Sequence, residues 1–191
     1  MSVAGLILAA GESSRMGSPK ALLEFRGETF LDRLIGLFSE FCAPVVVVVG
    51  CEAERIRSGV RSPERALFAE NKDYRLGQLS SMQCGLRMIP QIAEGVLFTL
   101  VDHPNVQPST IEALLQPATA ISIPRFHGRR GHPMFFTAGL IRDFLALSPD
   151  SQAKEVVNRR PGSIRYVDVD DSGILDDVDD PAAYSRLIET R

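Results

Sequence analysis

Apolar residues fall into two rhythms along this chain. Val3–Ala9, Val45–Gly50 and Val96–Val101 are short runs with almost no polar interruption. The second contains five consecutive valines, a pattern that fits a strand covered on both faces, as in a parallel sheet. Between such runs, Phe30, Leu31, Leu34, Ile35, Phe38 and Phe41 recur at helical spacing over Thr29–Phe41, as do Leu79, Met82 and Leu86 over Gln78–Met88. Shorter strands are expected at Ala66–Ala69, Ala120–Pro124, Met134–Phe136 and Ile164–Val169. Shorter helices are expected at Glu52–Ser58, Leu140–Leu147 and Ala153–Asn158. Pro108 and Pro181 each precede apolar positions at helical spacing and suit the first turn of a helix.

Strand and helix alternate almost throughout, which predicts an α/β fold: a three-layer α/β/α sandwich around a mainly parallel sheet. The Ala120–Phe136 strand pair breaks the alternation and reads as an antiparallel excursion. In such a sheet, ligands bind outside the carboxyl ends of the strands. With 191 residues, 45% of them hydrophobic, and no repeat or low-complexity linker, the expectation is one domain over 1–191.

Charge and composition narrow the function. Net charge is −3 and there is no polybasic run, which argues against an extended nucleic-acid surface. The sparse aromatics lie in apolar runs, which argues against base stacking. The longest apolar stretch is far short of the ~20 residues of a membrane helix, and the start of the chain does not read as a signal peptide. Cys42, Cys51 and Cys84 have no metal-like spacing and are expected as small buried hydrophobes, reduced in a cytoplasmic protein.

Candidate chemistry begins where the first strand ends, in Leu8-Ala9-Ala10-Gly11-Glu12-Ser13-Ser14-Arg15-Met16-Gly17-Ser18-Pro19-Lys20. Glycines at Gly11 and Gly17, with small serines between them, let backbone N–H groups approach an anion. Arg15 and Lys20 add positive charge, so the segment is a plausible polyphosphate cradle. It is neither a P-loop nor G-x-G-x-x-G, and composition alone equally allows a solvated surface turn. Asp102, in Val101-Asp102-His103-Pro104, follows a buried strand and would lie on the same sheet edge, where a carboxylate can hold the Mg²⁺ that a triphosphate needs. A late cluster, Asp176-Asp177-Val178-Asp179-Asp180-Pro181, offers more carboxylates. If it is extended, Asp177 and Asp179 share one face and one or the other serves the metal, while Asp180 caps the helix opened by Pro181.

Taken together, these segments resemble the MobA-like nucleotidyltransferases, closest to the molybdenum cofactor cytidylyltransferase branch. Leu8–Lys20 resembles the signature loop. Asn71-Lys72-Asp73-Tyr74, with Gly77-Gln78-Leu79-Ser80-Ser81 and Gly85, resembles the nucleoside-binding segment. Val101–Pro104 is similar to the metal motif and Gly128-Arg129-Arg130-Gly131-His132-Pro133 to the acceptor-side motif. Asp177–Pro181 is similar to the late acidic motif D-x-D-T-P-E-D, departing from it at Asp180 and at Ala182-Ala183.

The resemblance implies a Rossmann-like nucleotidyltransferase fold and transfer of CMP from CTP to molybdenum-molybdopterin with Mg²⁺. A recipient molybdoenzyme is a further partner it implies. It casts Arg15, Lys20 and Asp102 as catalytic. Leu8, Ala9, Ala10, Gly11, Glu12, Ser13, Ser14, Asn71, Gly77, Ser80 and Ser81 join Arg15 and Lys20 around the nucleotide. Arg130, Gly131, His132 and Pro133 face the acceptor, and Asp102, Asp177 and Asp179 face the metal. The cytidylyl branch tends to show LAAG and the guanylyl branch LAGG; here the residues are Leu8-Ala9-Ala10-Gly11. GTP as donor, a sugar phosphate or another cofactor precursor as acceptor, and a non-catalytic carrier of the finished cofactor are the alternatives. His103 and His127 are read as bystanders.

Overall fold

The apolar runs assemble side by side. The computed structural model describes residues 2–116, 119–148 and 151–189. In chain order the strands are β1 (Val3–Ala9), β2 (Glu24–Phe25), β3 (Glu28–Thr29), β4 (Val45–Val49), β5 (Leu67–Glu70), β6 (Gly95–Leu100), β7 (Ile121–Phe126), β8 (Arg129–Arg130), β9 (Met134–Thr137) and β10 (Ile164–Asp168). The helices are α1 (Phe30–Ser39), α2 (Ala53–Gly59), α3 (Gln78–Leu86), α4 (Pro108–Leu114), α5 (Ile141–Leu145), α6 (Lys154–Asn158) and α7 (Pro181–Glu189).

The main sheet has the order β10-β7-β9-β6-β1-β4-β5, with β8 paired to β7. β1 pairs in parallel with both β4 and β6, and β9 runs antiparallel between β6 and β7. The Ala120–Phe136 excursion is therefore present, and β9 is the strand that reverses.

Two cores lie on opposite faces of this sheet, because successive strand residues point to opposite sides. Val45, Val47 and Val49 face α1, α2, α4 and α7, where Phe30, Leu34, Ile56, Ile111 and Leu187 are buried. Val46 and Val48 face α3, α5 and α6, where Met82, Leu86, Phe144 and Val156 are buried. This is the expected three-layer sandwich. α3 packs so closely that a Cβ on Gly85 would overlap the side chains of Leu6 and Val48. Gly85, grouped by sequence with the nucleoside segment, is thus a packing residue.

Local signals explain the helix starts. The Thr29 hydroxyl accepts from the N–H of Asp32 at 3.0 Å and begins α1. Asp180 Oδ1 accepts from the N–H of Ala183 at 2.7 Å and begins α7, as expected. Two readings shift: the helix expected from Glu52 begins at Ala53, and a 3₁₀ turn over Ala138–Leu140 leads into α5. The β2–β3 hairpin is absent from the sequence reading because each strand has two residues, too few for alternation to register. Its turn holds Arg26 and Gly27 at positive φ. Of the cysteines, Cys42 is buried, with its thiol pushed up to about 12 by burial; Cys51 and Cys84 are half-buried. Among the described residues no helix is long and apolar enough to cross a membrane.

Candidate functional site

The carboxyl ends of β1, β4 and β6 meet at one edge. Leu8 C=O accepts from the N–H of Val101 at 3.0 Å, and Ala10 C=O accepts from the N–H of Cys51 at 3.1 Å. The loop leaving β1 therefore starts against the ends of both neighbouring strands. Its backbone reverses at Ser13 (φ 49°) and Gly17 (φ 67°). The Ser13 hydroxyl accepts from the N–H of Lys20 at 3.0 Å, which ties the two ends of the loop together. Glu12 points away and pairs with Arg75 at 3.0 Å.

This edge encloses a cavity of about 330 Å³. Leu8, Ala9, Ala10, Gly11, Ser13, Lys20, Gly77, Ser81 and Asp102 line it, together with Tyr74 and Gln78. Ser14 and Arg15 are exposed on the rim of the loop. Asn71 and Ser80 lie behind the wall. Asn71 Nδ2 donates to both the Ser80 and Ser81 hydroxyls at 3.0 Å, and Ser80 donates to the carbonyls of Asp73 and Gly77. These bonds shape the turn into α3, which presents Gly77 and Ser81 to the cavity.

The late acidic segment is drawn in by its backbone. Val178 is buried and its N–H donates to the carbonyl of Asp102 at 3.1 Å. Asp177 and Asp179 consequently project on the opposite side from Val178, as an extended segment dictates. Asp102, Asp177 and Asp179 each offer a carboxylate oxygen within 4.8 Å of one another.

Two cations sit against these acids. Lys20 Nζ lies 3.1 Å from Asp102 Oδ2 and 2.5 Å from Asp179 Oδ1, and Arg15 reaches Asp179 Oδ2 at 3.2 Å. Burial disfavours the Lys20 ammonium, but Asp179 and Asp102 more than offset it, so its pKa is raised. Burial also pushes Asp102 up; the His103 ring and Lys20 prevail and hold its carboxyl at about 2. The pKa of Asp179 is lowered mainly by its hydrogen bond to Lys20. That of Asp177 is raised, first by burial and then by the like charges of Asp102 and Asp179. Three convergent carboxylates against two cations leave a local negative excess of hard oxygen donors, which fits a divalent ion such as Mg²⁺ or Mn²⁺.

A second cavity, of about 470 Å³, lies on the β7–β9 side. Arg130, Gly131 and His132 line it with Arg129, Lys154, Phe98 and Met82; Pro133 is buried behind them. Gly131 is required by contact, since a Cβ there would overlap the Ile174 carbonyl, which accepts from the N–H of His132 at 3.0 Å. Gln78 lines both cavities. The Nδ1 of His132 is buried without a hydrogen-bond partner. Burial, reinforced by His103, pushes the His132 pKa down to about 4.

Sequence reasoning gave no place to Lys154, named Gln78 only within the nucleoside-binding segment, and read His103 as a bystander although it lines the second cavity. The His103 side chain is buried, lies beside Asp102 and lines the second cavity. Its position directly after the metal-side acid, in the turn that ends a buried strand, was the available signal. His127 sits at positive φ in the turn between β7 and β8 and lines neither cavity.

A basic loop and a carboxylate cluster stand at the carboxyl ends of parallel strands, where ligands bind in sheets of this kind, and a second cavity lies beside them. Residues 5–164 match the MobA-like NTP transferase domain, and the chain belongs to that nucleotidyltransferase family. It is 32% identical to nicotine blue oxidoreductase of Paenarthrobacter nicotinovorans, over 97% of this chain and 96% of that protein. It is 26% identical to the molybdenum cofactor cytidylyltransferase of Escherichia coli K12, over 92% and 90%. Among solved structures, Rv0371c from Mycobacterium tuberculosis H37Rv superposes with a TM-score of 0.86 at 27% identity, covering 100% of this chain and 98% of that one. Rv0371c has also been solved in complex with manganese, matching at a TM-score of 0.80 and 25% identity over the full length of both chains.

Proposed function

We propose that this protein transfers CMP from CTP to a molybdopterin-type acceptor, releasing pyrophosphate, with Mg²⁺ as the working cation. The observation that carries the proposal is the adjacency of the two cavities. Residues of the phosphate loop and Asp102 line the first, apolar and basic side chains together with Asp177 line the second, and Gln78 belongs to both. The family supports nucleotidyl transfer, and a relative named molybdenum cofactor cytidylyltransferase supports the finer reading.

In this account the 1–191 chain works as one catalytic domain. The backbone from Ala10 to Ser13 cradles the phosphates, with Leu8, Ala9, Gly77 and Ser81 around the nucleoside. An oxygen of the acceptor phosphate attacks the α-phosphorus of CTP, the bond from that phosphorus to the β-phosphate oxygen breaks, and pyrophosphate leaves with its electron pair. Arg15 and Lys20 neutralise the charge that builds on the transferring and leaving phosphates. Asp102, Asp177 and Asp179 would hold the cation, which supplies charge neutralisation at the phosphates. A phosphate monoester is already anionic near neutral pH, so positioning matters more than proton abstraction. Arg130 and Lys154 meet the acceptor's phosphate, and the neutral His132 and Phe98 meet its ring system. Ala10 narrows the base site and favours a pyrimidine.

The test is pyrophosphate release with Mg²⁺ and molybdenum-loaded molybdopterin, comparing CTP, GTP, ATP and UTP. Release with CTP is expected. Release with GTP alone would overturn the base assignment, and release only with another phosphorylated acceptor would overturn the acceptor.

A further inference from the structure

Asp102 and His103 are consecutive, yet they line different cavities: Asp102 the nucleotide side, His103 the acceptor side. The His103 side chain is buried, and its Nδ1 lies 2.9 Å from Asp102 Oδ1. A carboxylate at neutral pH only accepts hydrogen bonds, so Nδ1 carries the proton and donates. The other carboxylate oxygen, Oδ2, takes the Lys20 ammonium at 3.1 Å. One oxygen is therefore held by a planar ring and the other by a flexible side chain. The His103 ring is itself wedged edge-on against His132, with ring centroids 4.7 Å apart, and His132 packs edge-on against Phe98 at 5.6 Å. A histidine that was only a neighbour of the acid would have no reason to be buried with its donor on that acid and its ring on the acceptor-side wall.

We propose that His103 is a positioning residue: its Nδ1–H sets the rotation of the Asp102 carboxylate toward the cation. The inference rests on the reading of Asp102 as a cation-holding acid. Partners that orient a metal-binding group typically change metal affinity by 10–100-fold when removed.

Two substitutions separate the donor from the ring. His103→Asn keeps an N–H donor close to the position of Nδ1 and loses the ring. His103→Phe keeps a packed ring and loses the donor. Mn²⁺ alone is titrated into the full-length protein and free Mn²⁺ is read by electron paramagnetic resonance, with urea unfolding to establish that each variant folds. If His103→Phe does not fold, His103→Leu replaces it.

The expected result is Mn²⁺ binding weakened about 10-fold or more by His103→Phe and largely restored in His103→Asn. Wild-type affinity in His103→Phe, or equal weakening in both variants, overturns the positioning role. Asp102→Ala reports separately on the underlying reading. If wild type does not bind Mn²⁺, or Asp102→Ala binds it as wild type does, Asp102 is not the cation's acid and both statements fall.

Discussion

Replacing His132 by phenylalanine makes a prediction about stability whose size can be worked out. The His132 imidazole is pushed from its ordinary 6.5 down to about 4 by burial and by the neighbouring His103. Between those two values the unfolded chain binds a proton at this residue that the folded chain does not. Stability therefore falls as the pH is lowered through the window and rises as it is raised. At about 1.36 kcal/mol per pH unit, His132 accounts for the loss of about 3 kcal/mol between neutral pH and pH 4, a sizeable part of an ordinary domain's stability of about 5–15 kcal/mol. His132→Phe keeps an edge-on ring beside Phe98 and His103 and removes the titration. Urea unfolding of both proteins from pH 7 to pH 4 reads the effect, because the groups that do not touch His132 contribute alike to the pair. The difference in unfolding free energy should change by about 3 kcal/mol across the window in favour of the variant at low pH. A difference that stays constant with pH would refute the reasoning, since His132 would then titrate alike in folded and unfolded chains.

Three further outcomes follow from named contacts. Lys20→Met removes the ammonium that bridges Asp102 and Asp179. Nucleotidyl transfer should fall by about 10²-fold or more, while Mn²⁺ binding without nucleotide, read by electron paramagnetic resonance, should tighten because the carboxylates lose a competing cation. Ala10→Gly removes a methyl from the wall of the nucleotide cavity; the ratio of kcat/KM for CTP over GTP should fall toward one, and an unchanged ratio would show that Ala10 does not select the base. Gly85→Ala drives a Cβ into Leu6 and Val48 and should lower stability by about 1–3 kcal/mol, seen as a lower urea midpoint at an unchanged slope.

The parts of this molecule that were legible in the sequence are those with a local cause. Five consecutive valines read as a strand buried on both faces because no position could be spared for solvent, and β4 is covered on both sides. Asp180 before Pro181 read as a cap because the cap is a contact within one turn. That Asp177 and Asp179 share one face follows from strand periodicity once the segment is extended.

What escaped depends on partners distant in the chain. Gly85 is explained by side chains on β1 and β4. The amide of Asn71 is bonded to the Ser80 and Ser81 hydroxyls on α3, a contact its own segment does not announce. Gly131 is demanded by a carbonyl at Ile174. His103 carried no signal beyond its place next to Asp102, since the ring it packs against, His132, is distant in the chain.

The central claim is that the two cavities join a nucleotidyl group to an acceptor, and transfer of label tests it most directly. CTP carrying ³²P at the α-position is incubated with Mg²⁺ and molybdenum-loaded molybdopterin, and the acceptor is separated and counted for wild type and Asp102→Ala. The account predicts label on the acceptor with wild type, and little with the variant. Unlabelled acceptor with wild type, whether CTP is hydrolysed or left intact, would contradict it.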